Sequence, residues 1–385
     1  MSTIPYSCQS ITEDDIAAVC AVLRSEYLTQ GPAVPAFERA FAARHDLPYA
    51  FAVSNATAGL HIACLALGVK PGSRVWTSPN SFLASANCAL YCGGTVDFVD
   101  IDPRTRNMSV EALRGKLESA DKTGTLPQVL IPVDFSGLPC DLREMRGLAD
   151  QYGFRILEDA SHATGASYLD RPVGSAWADV TVFSFHAVKI VTSAEGGMVT
   201  TQDVTLAQRL RQLRSHGMTR DPKELERHSE GGWYYEQQSL GFNYRLTDLQ
   251  AALGLSQLRR LDAMYARRAA LADRYDELLS GLPVVTPVRL ADRKSAWHLF
   301  VVELTGSAQD TRDQVFAGLR AAGIGVNVHY IPIHTQPYYT RLGFRQGDFP
   351  VAESYYRKAV SLPLFPSMTE EQQDNVVQAL RGLLQ

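Results

Sequence analysis

From Ala50 to Thr201 short runs of strand character alternate with segments of helical period, and this alternation limits the fold more than any other feature. Such a rhythm builds a mostly parallel sheet covered by helices on both faces, an α/β architecture. Tyr49 to Ser54 is strand-like, and Leu60, Cys64 and Leu67 follow at helical spacing up to Gly68. Arg74 to Ser78 and Thr95 to Val99 are predicted strands around a helix from Ser81 to Tyr91. Gln128 to Phe135 is a further strand, and a helix with Leu142, Met145 and Tyr152 stops at Gly153. Arg155 to Asp159 then runs as a strand that delivers two carboxylates, Glu158 and Asp159, at its end. Ligands in such sheets bind outside the carboxyl ends of the strands, which gives Asp159 a functional position. Thr181 to Phe185 and Met198 to Thr201 are strands joined by a loop that carries Lys189 and the turn Glu195-Gly196-Gly197.

The flanks are simpler. Thr12 and Asp15 have capping-box spacing and open a helix with Ile16, Val19 and Leu23 as its apolar face. Tyr27 to Pro32 breaks that helix, and Phe37 and Phe41 mark a second one. After the Lys189 loop come a helix-prone stretch, Asp203 to Arg214, and a Gly- and charge-rich loop through Gly232. Helices resume at Thr247 with Leu249, Ala252 and Leu253 on one face. From Trp297 the pattern is α+β: WHLFVVEL is a strand, Asp310 to Ala322 a helix, Gly325 to Val328 a short strand, and Thr369 with Gln372 caps the last helix. A chain of 385 residues exceeds one compact core, so the expected division is a large domain over residues 1–262 and a smaller C-terminal domain over residues 263–385.

Composition narrows the function classes. With 20% charged residues and a net charge of -4, no basic footprint for nucleic acid or an anionic membrane exists. No apolar stretch is long enough to span a bilayer, and MSTIPYSCQSITEDDI lacks a basic segment before an apolar run. A cytoplasmic enzyme without membrane or nucleic-acid partners is expected. The 6 cysteines show no zinc spacing and read as buried thiols. His329 and His334 have no acidic residue near them in sequence, so no metal site is expected.

Both common nucleotide loops are missing. Gly323-Ile324-Gly325 has Val328 where a dinucleotide fingerprint needs its third glycine, and no phosphate-binding G-x-x-x-x-G-K-[ST] occurs. Ser54 to Gly59 does lie between a strand and a helix, where the amides of Ala56 and Thr57 either meet a phosphate or form a plain capped turn. Lys189 is likewise either a solvated loop charge or an amine buried so that it is nucleophilic near neutrality. Taken together, an anion cradle, a strand-end aspartate and a lysine on a connection match what pyridoxal phosphate chemistry needs. The lysine forms the Schiff base, the aspartate keeps the pyridine nitrogen protonated, and the cradle fixes the phosphate.

Five stretches resemble the DegT/DnrJ/StrS family of sugar aminotransferases: LTQGPAVPAFERAFA (Leu28 to Ala42), LEDASHATGA (Leu157 to Ala166), FSFHAVKIVTSAEGG (Phe183 to Gly197), GFNYRLTDLQAALG (Gly241 to Gly254) and VHYIPIHTQPYY (Val328 to Tyr339). The resemblance implies a fold-type I pyridoxal phosphate enzyme acting on nucleotide-linked keto sugars. It implies Lys189 as the Schiff-base lysine and Asp159 as the pyridine-nitrogen partner. His162, often Gln in relatives, would bond the ring oxygen, Phe82 would stack on the ring, and Ala56, Thr57 and Ser184 would hold the phosphate. Asn243 would reach that phosphate from the other subunit of a homodimer with shared active sites. Tyr6, the loop of Tyr27, Leu28, Thr29 and Gln30, and the segment of Asn327, Val328, His329 and Tyr330 would contact the sugar nucleotide.

Within the family the chain is most similar to the transaminases that make the 4-amino sugar precursor of pseudaminic acid. That implies transfer of the amino group of L-glutamate to C4 of a UDP-linked 4-keto-6-deoxy-N-acetylhexosamine. Three rivals stay open: an aminotransferase on another nucleotide keto-deoxy sugar, a 3-dehydratase of the same fold, and a non-enzymatic relative. The dehydratase has histidine in place of the lysine; Lys189 argues against it, although His186 lies close by. A non-enzymatic relative would have lost a cofactor group, and none is missing.

Overall fold

The computed structural model describes residues 3–384. Its large sheet has seven strands: β1 (Tyr49–Val53), β2 (Arg74–Thr77), β3 (Thr95–Phe98), β4 (Val129–Ile131), β5 (Arg155–Asp159), β6 (Val180–Ser184) and β7 (Gly197–Thr201). Their spatial order is β1-β7-β6-β5-β4-β2-β3. β2, β3, β4, β5 and β6 are joined in parallel, and β7 is antiparallel to both of its neighbours, β1 and β6. The expected mostly parallel α/β sheet is therefore present. Its single reversed strand follows from the turn at Glu195 and Gly196, which sends the chain back beside β6 directly after the lysine loop.

Helices α1 (Glu13–Leu23), α2 (Ala33–Arg44), α3 (Ala56–Ala66), α4 (Ala84–Tyr91), α5 (Val110–Thr123), α6 (Leu142–Tyr152), α7 (Val204–Arg214), α8 (Asp248–Leu258) and α9 (Leu261–Leu278) accompany the sheet. Phe37 and Phe41 are fully buried on α2, as their spacing predicts. A second, antiparallel sheet consists of β8 (Val284–Val285), β9 (Phe300–Leu304) and β10 (Ala359–Leu362). Its core contains Tyr275, Phe300, Val360 and Leu380, together with Ile4 from the N-terminal segment. The expected boundary after residue 262 falls in the first turn of α9. Leu261 and Met264 pack under the large sheet, and Leu271 and Tyr275 pack in the second core.

Several expectations change. The α1 face of Ile16 and Leu23 is 47% and 57% exposed, and the one residue the helix buries is Asp15. Asp15 accepts hydrogen bonds from Arg260 and Gln257, both at 2.7 Å, so α1 is fixed through polar contacts and its apolar face points outward. The strand expected from Gln128 to Phe135 shrinks to β4, because Pro132 has no N–H to continue the ladder. α4 begins at Ala84 rather than Ser81. α8 leaves Leu249 and Leu253 half-buried and turns Asp248 and Ala251 inward. The segment from Gly325 to Val328 forms only one isolated bridge, Asn327 with Ser361, and Cys8 and Cys20 are partly exposed while the other four cysteines are buried.

Candidate active site

Successive residues of a strand face opposite sides of the sheet, and this separates the two carboxylates at the end of β5. Asp159 is 4% exposed; its Oδ2 accepts the Ser85 hydroxyl at 2.6 Å and its Oδ1 accepts the Ser161 amide at 3.1 Å. Glu158 points the other way, accepts the Thr181 hydroxyl at 2.8 Å, and burial pushes its pKa well above the usual carboxylate range. Only Asp159 faces the site.

Lys189 lies on the connection from β6 to β7, its amide donating to the His186 carbonyl at 2.9 Å. The residue is partly exposed, yet burial lowers the pKa of its amine to about 8 against an upward pull from Asp159. A lowered pKa supports the nucleophile reading over the solvated charge. Such an amine is substantially neutral at mildly basic pH and can act as a nucleophile or proton carrier. His186, three residues earlier, is exposed.

The cradle forms where β1 hands the chain to α3. The Asn55 side chain caps the helix by accepting the Ala58 amide at 2.8 Å, which leaves the amides of Ala56 and Thr57 without protein acceptors among the described residues. Free first-turn amides at the positive end of a helix suit a dianion. Gly197 faces this turn, and a Cβ there would stand 2.8 Å from the Ala56 nitrogen, so the close approach needs glycine. Ser184, at the end of β6, is 5% exposed, and its Oγ accepts the His186 amide at 3.4 Å.

Across the cleft sit the rings. Phe82 is 60% exposed, too open for a core residue, and its ring centre lies 6.4 Å from that of Tyr330. The Tyr330 hydroxyl meets His162 Nε2 at 3.2 Å, and the Ser136 amide donates to His162 Nδ1 at 3.2 Å. That donation places the ring's hydrogen on Nε2. Burial, with the Lys189 and His329 charges, holds the His162 pKa well below its ordinary value, so the ring is neutral. His329 accepts or donates at Ser361 Oγ (2.7 Å), packs 5.9 Å from the Tyr6 ring, and lies 3.4 Å from the Asn327 amide. Val328 is half-buried, its amide donating to Asn327 Oδ1 at 2.8 Å.

The structure thus brings His162, Tyr330, His329, Asn327 and Tyr6 into one connected group, with Phe82 at its edge, while the Asp159 charge acts on it through Lys189 and Tyr330. It does not join Tyr27 to Gln30 or Asn243 to that group by any hydrogen bond or ring contact among the described residues. The Leu28 carbonyl accepts the Asp248 amide at 3.0 Å, Thr29 pairs with Thr247, and Asn243 is exposed beside Ser215. One site residue escapes the sequence reading: His298, whose Nε2 lies 3.5 Å from Lys189 Nζ. It stands inside WHLFVVEL, which reads as continuous strand, whereas β9 begins only at Phe300.

A group with an aldehyde, a pyridine nitrogen and a phosphate fits these residues: an amine of lowered pKa, a buried carboxylate and a helix start with free amides. No group of three or more His, Cys, Asp or Glu side chains among the described residues could hold a metal, and no described helix is long and apolar enough to cross a membrane.

Comparison with known proteins agrees with this geometry. Residues 9–381 match the model of the DegT/DnrJ/EryC1/StrS aminotransferase family. The chain is 40% identical over 386 aligned positions to the spore coat polysaccharide biosynthesis protein SpsC of Bacillus subtilis, covering 99% of this chain and 97% of SpsC. Among solved structures, Helicobacter pylori PseC, an aminotransferase involved in the biosynthesis of pseudoaminic acid, superposes with a TM-score of 0.90 at 29% identity, covering 100% of this chain and 99% of PseC. The pyridoxal phosphate form of the sugar aminotransferase Spr1654 of Streptococcus pneumoniae gives a TM-score of 0.89 at 29% identity, covering 99% and 98% of the two chains. The two solved structures are fold-type I aminotransferases, and by family match and identity alike this chain belongs to the DegT/DnrJ/EryC1/StrS aminotransferase family.

Proposed function

We propose that the protein uses pyridoxal phosphate to move the amino group of L-glutamate to C4 of a UDP-linked 4-keto-6-deoxy-N-acetylhexosamine. The observation that carries this reading is the Lys189 amine, 3.5 Å from His298 Nε2 and under the charge of the buried Asp159, with its pKa lowered by burial. When bound, the cofactor supplies an electron sink that stabilises the carbanion left by proton removal. Lys189 holds it and then, once released, moves the proton between cofactor and substrate carbons. Asp159, fixed by Ser85 and Ser161, holds a proton on the pyridine nitrogen. The amides of Ala56 and Thr57 and the Ser184 hydroxyl hold the phosphate, Phe82 covers one face of the ring, and His162 donates from Nε2 toward its oxygen.

Substrate and assembly rest on further support. Tyr6 and the segment from Asn327 to Tyr330 pack together through His329 and are assigned to the sugar. Gln30 shares a cavity of about 410 Å³ with Arg220 and Arg245, a basic surface suited to a nucleotide diphosphate. Tyr27 to Gln30 and Asn243 make no hydrogen bond or ring contact with the chain's own Lys189 group among the described residues, and we assign them to the site of a second subunit in a homodimer. The similarity to PseC, together with the resemblance of its sequence motifs, favours the UDP-linked 4-keto sugar. The two-domain division at residues 262 and 263 belongs to the same reading, with α9 as the connector.

The test is a panel of nucleotide-linked keto sugars incubated with ¹⁵N-labelled L-glutamate, with products read by mass spectrometry and NMR. The reading expects ¹⁵N at C4 of the UDP sugar and an equal amount of 2-oxoglutarate. Loss of water without nitrogen incorporation would identify a dehydratase instead.

A further inference from the structure

Lys189 has a neighbour that the mechanism leaves without a task. His298 is 3% exposed, its Nε2 stands 3.5 Å from the Lys189 amine, and its ring centre is 4.4 Å from that of His162. His298 Nδ1 is buried and has no hydrogen-bond partner among the described residues. His162 differs: both of its nitrogens are engaged, by Ser136 and Tyr330, so its tautomer is fixed. His329 is engaged at Nδ1 by Ser361.

The backbone around His298 is held firmly. Its amide donates to the Ser136 carbonyl at 2.9 Å, and the buried Arg268 guanidinium donates to the carbonyls of Trp297 (3.1 Å), His298 (3.4 Å) and Leu364 (3.1 Å). No carboxylate partners Arg268 among the described residues, a costly arrangement for a buried cation. What it secures is the corner at Trp297, where φ is +52°, a conformation rare for a bulky residue. That corner aims His298 at the amine instead of along the strand. Geometry fixes where the ring is, while nothing in the protein fixes which nitrogen bears its hydrogen.

We propose that His298 is the residue that holds the Lys189 amine whenever it is not covalently engaged, switching tautomer with the amine's proton: Nε2 accepts from the ammonium and donates to the neutral amine. The unpartnered Nδ1 allows both forms, since it gains or gives up the hydrogen without breaking another bond. This rests on Lys189 being the cofactor lysine, and it explains how the released amine stays aimed at the reacting carbon. The other groups facing Lys189 are Asp159, His162 and His329, with Arg268 behind His298; of the three histidines, only His298 has a buried ring nitrogen without a hydrogen-bond partner among the described residues.

The test uses the cofactor-free full chain, so it reads the His298 contact whether or not Lys189 proves to be the cofactor lysine. With ¹⁵N-histidine, the His298 resonances of the wild type should exchange Nδ1–H for Nε2–H character as pH rises through about 8, where the amine loses its proton. Lys189→Met should abolish that change. Resonances that are flat across this range, or that change equally in Lys189→Met, overturn the proposal. Competitive labelling of Lys189 by an amine reagent gives an independent reading. Its midpoint should fall by about one pH unit in His298→Phe, from loss of a charge-assisted acceptor, and return in His298→Gln, which keeps an acceptor and a donor. A folded His298→Phe with an unchanged midpoint also overturns it.

Discussion

Ser85 donates its hydroxyl proton to Oδ2 of Asp159 at 2.6 Å, and Ser81 lies 2.7 Å behind it, so the first turn of α4 and the turn before it deliver a two-hydroxyl relay to the carboxylate at the end of β5. A hydrogen bond to a charged acceptor contributes about 1.5–3 kcal/mol. Ser85→Ala is therefore expected to weaken pyridoxal phosphate binding by about tenfold or more. Asp159→Asn, which removes the charge itself, should weaken it further. Equilibrium dialysis of the cofactor checks both.

Burial pulls the Lys189 pKa down to about 8, and the direction has two consequences. Uptake of pyridoxal phosphate by the cofactor-free chain needs the neutral amine, so its rate should rise through pH 8 and level off above it. Stability follows the same group. Between the folded value and the ordinary lysine value of about 10.4 the unfolded chain binds more protons, so the cofactor-free fold gains stability as pH rises across that window. The burden of the buried charge is fully present below pH 8. Denaturant midpoints of the wild type minus those of Lys189→Met, taken across this range, should show the gain.

Gly197 and Ala56 approach so closely that a single methyl tests the cradle. In Gly197→Ala the new Cβ would meet backbone, the Ala56 nitrogen at 2.8 Å and the Asn55 carbonyl carbon at 2.9 Å, so the first turn of α3 must move. The expected outcome is a folded chain that has lost most of its affinity for pyridoxal phosphate. Visible absorbance after dialysis, alongside a thermal melt, separates the two effects.

Asp248 is fully buried at the start of α8 and accepts the amides of Gly31 and Ala33 at 2.7 Å and of Val34 at 3.3 Å. It caps α2, which has no cap of its own, and anchors the loop from Tyr27 to Gln30. Asp248→Ala strands three donors and is expected to cost about 3 kcal/mol of stability, read by urea denaturation. If that loop contacts the sugar nucleotide, the KM for the sugar should rise in Asp248→Asn while the KM for glutamate stays near its wild-type value.

Asn243 makes no hydrogen bond to its own chain's Lys189 group among the described residues, so a shared site makes a simple prediction. Lys189→Ala and Asn243→Ala should each be impaired alone. Co-expressed, they should form mixed dimers with one intact site, recovering roughly a quarter of wild-type activity by random pairing. Activity of the purified mixture is the measurement.

How far these features could be read from the sequence depends on how local their causes are. Strand β5 and Asp159 were legible because an apolar run, a preceding glycine-capped helix and the strand-end rule all converge there. Lys189 stood out only in combination, since a lone lysine beside a turn reads first as a loop charge, and its burial depends on contacts distant in sequence. α5 has local signals, the Ser109 cap and the left-handed Gly124, and escaped only because its polar face dominates its pattern. His298 could not be found this way: its direction depends on a positive φ at Trp297 and on Arg268 donating from α9, thirty positions away in the chain. The outward face of α1 had the opposite difficulty. Its spacing is that of a buried stripe, but Asp15, Arg260 and Gln257 decide the packing.

The central claim is that Lys189 carries the cofactor, and borohydride reduction of the loaded enzyme followed by peptide mass spectrometry tests it most directly. The result expected is a stable phosphopyridoxyl adduct on the peptide containing Lys189 and on no other lysine. An adduct on a different lysine, or a loaded enzyme that gives none, would contradict it.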